Sequence, residues 1–66
     1  MIDWPKLSED VRVQRARKRV SVRDAAREIG VSPATLSRFE NGKELTSDNF
    51  MAVCKWLGVA AEETLI

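Results

Sequence analysis

The stretch from Ser21 to Gly42, S-V-R-D-A-A-R-E-I-G-V-S-P-A-T-L-S-R-F-E-N-G, constrains the fold more than any other part of the chain. It predicts two short helices joined by a tight turn. Ser21 with Asp24 three residues on is a capping-box pattern, so a helix is expected to start at Val22. Ala25, Ala26 and Ile29 recur at helical spacing and give it one apolar face. Gly30 supplies the permissive residue that ends a helix in a left-handed turn. Ser32 caps a second helix, with Pro33 at its first position, where the missing N–H costs nothing. Leu36 and Phe39 form the inward stripe of that helix, and Asn41-Gly42 stops it.

A second helix that buries Leu36 and Phe39 leaves Pro33, Ala34, Ser37 and Arg38 outside. That is the geometry of a helix-turn-helix, whose second helix enters the DNA major groove. The stretch resembles the phage repressor and Cro-type helix-turn-helix family, also called the xenobiotic-response-element family. The family pattern is a small residue, then A-x-x-x-G-V-S-x-x-T-[LI]-S-R-[FWI]-E-x-G. It is matched by Ala26, Gly30, Val31, Ser32, Thr35, Leu36, Ser37, Arg38, Phe39, Glu40 and Gly42. The resemblance extends from about Leu7 to Leu65.

With 66 residues the chain is expected to be one domain, residues 1–66, with the helix-turn-helix at 21–42. Its hydrophobic fraction of 44% fits a globular domain rather than a disordered one. No apolar run approaches membrane-spanning length and no secretory signal is visible, so a cytoplasmic protein is expected. Cys54 sits in an apolar helical pattern and reads as buried and inert, the alternative being a redox or metal role. The absence of histidine removes the commonest general base and metal ligand.

The net charge is only +1, but its distribution is uneven. Residues 1–43 hold ten Lys/Arg against six Asp/Glu, a balance of +4. Residues 44–66 hold Lys55 against Glu44, Asp48, Glu62 and Glu63, a balance of −3. Such polarity suits a domain that presents one basic face to phosphates.

The other elements follow from spacing. The first helix is expected from about Leu7 or Ser8 to Lys18, and Trp4 is expected to pack back over the bundle. Thr46 or Ser47 caps a fourth helix, with Asp48 at its positive end and Phe50, Val53, Cys54 and Leu57 as its apolar stripe. Gly58 ends it, and Ala61 to Ile66 are expected to form a fifth helix of about two turns, anchored by Leu65. The expected architecture is all-α. The resemblance implies a compact five-helix bundle of the lambda repressor-like type.

Ser32 caps its helix and is also placed for a phosphate, since a helix N-terminus attracts anions. Pro33 stands where the family often carries an adenine-reading glutamine; proline cannot make that bidentate contact, so readout there is apolar or absent. Ala34 either approaches a thymine methyl or serves as a helix former. Thr35 touches a phosphate or thymine methyl, or hydrogen-bonds within its own helix. Arg38 is the principal candidate for base readout, through a bidentate bond to guanine, with Ser37 a weaker one. The alternative for Arg38 is a phosphate clamp or a surface pair with Asp24. Asn41 and Lys43 resemble the family's backbone-anchoring positions, against turn chemistry and plain solvation.

Arg17, Lys18, Arg19 and Arg23 are the phosphate candidates of a basic run that otherwise reads as a solvated helix surface. The resemblance implies a structural ion pair between Arg15 and Glu40. Two departures from the family shift the anchoring charge towards these arginines. Val22 replaces the glutamine that often begins the second helix, and Leu45 and Asp48 lie where relatives show basic contacts.

The expected function is a sequence-specific, DNA-binding transcriptional regulator. It would be a small dimeric autorepressor, bacterial or phage-encoded, reading a palindromic operator in double-stranded DNA. The expected homodimer interface is Trp56, Val59, Glu62, Leu65 and Ile66, with Trp56 equally readable as core. Activation would require the acids near Glu44, Asp48 or Glu62 to touch RNA polymerase. The alternative is an antitoxin-type protein-interaction module on the same fold. No cofactor, metal or small-molecule ligand is expected. An enzyme is disfavoured because there is no histidine, no suitably spaced carboxylate pair and no phosphate-cradling glycine loop.

Overall fold

A computed structural model describes the whole chain, Met1–Ile66. It contains four α-helices: α1 (Trp4–Lys18), α2 (Val22–Ile29), α3 (Pro33–Glu40) and α4 (Ser47–Leu57). A 3₁₀ turn, Ala61–Thr64, follows. No helix is long and apolar enough to cross a membrane.

Each helix begins on a side-chain oxygen that takes up an orphan backbone N–H. Asp3 accepts from Lys6 N at 3.2 Å, Ser21 from Asp24 N at 3.1 Å, Ser32 from Thr35 N at 3.1 Å and Thr46 from Asn49 N at 3.4 Å. The Asp3 cap starts α1 at Trp4, earlier than apolar spacing alone predicts. Pro5 falls in the first turn, where its missing N–H is no loss.

The expected fifth helix does not form. Residues Ala61–Thr64 make a single 3₁₀ turn, and Leu65 leaves it in an extended conformation (φ −83°, ψ 147°). Six residues cannot sustain an α-helix by propensity alone. Its end is held instead by the N-terminus: Ile2 and Leu65 form an antiparallel bridge flanked by Asp3 N to Thr64 O (2.7 Å) and Ile66 N to Met1 O (2.9 Å).

The core lies where α1, α2, α3 and α4 meet. Val11, Leu36, Phe39 and Val53 are its largest fully enclosed side chains, and Ala25 and Ala26 let α2 approach closely. Burying each larger side chain stabilises the fold by about 1.5–3 kcal/mol. Trp4 closes the core edge-on, with its ring 6.3 Å from Phe39 and 5.8 Å from Phe50. Cys54 is buried there, and burial pushes its thiol pKa up.

Candidate nucleic-acid interface

The turn between α2 and α3 is fixed by Gly30, at φ 97°, a conformation that costs most residues. Its N–H and that of Val31 both return to Ala26 O, at 2.8 and 3.0 Å. Leu36 and Phe39 then hold α3 to the core. The opposite side of α3, carrying Pro33, Ala34, Ser37 and Arg38, is exposed.

The Arg38 side chain makes no hydrogen bond or ion pair within the chain, and Asp24 instead lies 3.9 Å from Arg27. Thr35 is half-buried on the flank towards α4. Its hydroxyl oxygen accepts from the Ser32 hydroxyl at 2.8 Å. Ser32 is thereby committed as donor and as cap. The Ala34 N–H remains the unpartnered donor in the first turn of α3. Asn41 donates one amide N–H to Ser37 O at 2.8 Å, leaving a second free. Lys43 is exposed and lines a shallow cleft with Arg38, Thr35, Thr46 and Asn49, where α3 meets the start of α4.

Two arginines of α1 fix the far end of α3. Arg15 reaches Glu40 with Nε to Oε2 at 3.0 Å and Nη2 to Oε1 at 2.9 Å. Arg12 donates to Glu40 O at 2.8 Å, capping a terminal carbonyl of α3. The Arg12 contact has no signature in periodicity, because it depends on where two helices cross.

The basic run divides. Arg23 is exposed on the outer side of α2 without an ion partner. Arg19 is exposed at the C-terminus of α1 in the left-handed region, φ 56°. Lys18, expected at a phosphate, is engaged elsewhere. Its ammonium lies 2.7 Å from Glu28 Oε1 and 5.5 Å from the centre of the Trp56 ring. The same Glu28 oxygen accepts from Trp56 Nε1 at 3.0 Å. The Lys18 and Trp56 hydrogen bonds hold the Glu28 carboxyl below its ordinary pKa. Arg17 is not brought together with α3 either. It sits about 200° around α1 from Arg15 and lines a cleft with Val13, Gln14, Leu57 and Val59.

The expected dimer residues are likewise separated. Trp56 is half-buried and its N–H is used by Glu28. Val59 is half-buried, whereas Glu62 is exposed on the 3₁₀ turn and Leu65 and Ile66 are exposed beyond it. The acids Glu44, Asp48 and Glu62 are exposed and have no ion partner.

A family model described as a helix-turn-helix domain matches residues 6–65. Among solved structures, the chain is similar to the clp gene regulator ClgR from C. glutamicum, with 34% sequence identity and a TM-score of 0.68. That match covers 97% of this chain and 84% of the other. No curated protein matches the chain.

Proposed function

Because the chain belongs to the helix-turn-helix domain family, we propose that it is a DNA-binding transcriptional regulator of the phage repressor and Cro type. The observation that carries this reading is the exposed face of α3, on which Arg38 has no partner of its own. An unpaired guanidinium on a capped, rigid helix is pre-organised for guanine O6 and N7. Ser37, Ala34 and the Pro33 ring flank it and supply a small hydroxyl and apolar contacts. Thr35 stands at the edge towards α4. The similarity to ClgR, described as a gene regulator, supports the same reading.

Phosphate anchoring falls to groups around that face. Arg19, Arg23 and Lys43 carry free charge, the Ala34 N–H lies beside the Ser32 cap, and Asn41 keeps one amide N–H. Each phosphate neutralised by a cation steepens the dependence of affinity on salt. One α3 reads only a few base pairs, so the protein acts as a homodimer on half-sites about one helical turn apart. It represses by covering a promoter.

Selection of bound sites from random duplex DNA tests this. The expected product is a palindrome with guanine opposite Arg38. A pool that stays random, while the protein remains folded, overturns the assignment.

A further inference from the structure

We propose that the flank of α1 turned away from α3 is a self-association surface. A second copy docks there with the two α1 helices antiparallel, Arg17 of each reaching Asp10 of the other. This names an interface for the dimer proposed above and rests on that reading.

The flank carries two adjoining clefts between α1 and the C-terminal segment. One contains Val13, Gln14, Arg17 and Leu57, the other Lys6, Glu63 and Leu65, and Asp10 and Val59 line both. Apolar surface is left open along it: Val13 is 37% exposed and Leu65 53%. Charge is segregated along the same line. Asp3, Asp10 and Glu63 lie at one end, relieved only by Lys6, and Arg17 lies at the other. Arg17 has no partner in its own chain. Asp10 has only Lys6, at 3.3 Å across an exposed pair.

This pattern selects the occupant. Asp10 and Arg17 are seven residues apart, about two turns or 10.5 Å along one side of the helix. A two-fold axis passing between Val13 and Gln14 sets Asp10 of one copy opposite Arg17 of the other. The contact is then isologous, with the same ion pair made twice around a small apolar centre. A parallel arrangement sets like charges against each other. A uniformly basic or uniformly acidic partner leaves one end opposed. A copy of the chain itself satisfies both ends. The recognition face stays uncovered, because Arg15 and Arg12, which hold α3, lie on the other side of α1.

Sedimentation of the full chain without DNA tests the proposal, using Asp10→Arg, Arg17→Asp and their equimolar mixture. Wild type is expected to dimerise as concentration rises. Each variant alone opposes like charges across the axis and should associate at least about tenfold more weakly. The mixture should recover the dimer, with one chain of each kind. Circular dichroism of each variant checks the fold, and Val13→Lys, beside the axis, provides a second route to disruption. A wild type that stays monomeric at all soluble concentrations overturns the proposal. So do variants that dimerise as wild type does, or a mixture that remains monomeric. Titration of a duplex carrying one half-site separates the two readings. Unchanged half-site binding by the variants is expected here, whereas a dimer that binds no duplex overturns the regulator assignment instead.

Discussion

Arg15 and Glu40 are joined by two parallel N–H···O bonds, 3.0 and 2.9 Å, that tie the last turn of α1 to the last residue of α3. The Glu40 side chain is only 9% exposed and that of Arg15 26%. Removing one partner leaves a charge with little water to replace it. Arg15→Ala is therefore expected to destabilise the fold by about 1–3 kcal/mol, short of the 3–5 kcal/mol of a fully buried pair. Arg15→Met with Glu40→Leu should recover most of that loss, since no orphaned charge remains. Urea unfolding of the two variants checks this. A double variant as unstable as the single one would show that the pair is held for packing rather than for charge.

Arg38 and Arg23 are both exposed and unpaired, yet they sit on different surfaces: the outer side of α3 and the outer side of α2. Arg38→Ala should flatten the preference at one base pair of each half-site, a loss of about 1–3 kcal/mol in discrimination. Arg23→Ala should weaken all sequences alike and reduce the salt slope by about one. Binding to the selected site and to its single-base variants, over a range of salt, distinguishes them. Equal loss of affinity with unchanged preference in both would remove Arg38 from base readout.

The limits of α2, α3 and α4 could be read from local chemistry. Ser21, Ser32 and Thr46 cap, and Gly30 and Gly58 terminate, and these devices act within a few residues. What could not be read depends on the crossing of elements distant in sequence. Arg17 and Lys18 are adjacent in a uniformly basic run, but α1 turns Lys18 towards Glu28 and Trp56 and Arg17 towards Val59. The C-terminal segment has helix-compatible residues. Its pairing of Leu65 with Ile2, at the other end of the chain, decides otherwise.

Glu28 gives the fold a pH dependence at its acid edge. Its hydrogen bonds from Lys18 and Trp56 lower its folded pKa below the ordinary 4.5. Stabilisation from a depressed carboxylate is fully present above the unfolded pKa and is lost as pH falls through the folded one. Trp56 fluorescence, read in a Trp4→Phe background, should therefore shift on acidification at a pH below 4.5. Glu28→Gln should abolish that step. A step that persists in the Gln variant would assign it to another group.

Arg19 sets stability against binding at one position. It ends α1 at φ 56°, ψ 44°, with its own N–H returning to Ala16 O and that of Val20 to Arg15 O, both at 3.2 Å. These are the two hydrogen bonds of a Schellman ending, for which glycine is the preferred residue. A side chain in this region costs about 1–2 kcal/mol. Glycine removes that cost while giving back about 0.5–1 kcal/mol through a more flexible unfolded chain. Arg19→Gly is thus expected to raise stability by up to about 1 kcal/mol. It also deletes an unpaired cation between α1 and α2. If that cation meets a phosphate, the more stable variant will bind DNA more weakly, with a salt slope shallower by about 0.9. Thermal unfolding and salt-dependent titration of the same variant read the two effects separately. Higher stability with unaltered binding would leave Arg19 without a role at the duplex, and the phosphate contacts would rest with Arg23 and Lys43.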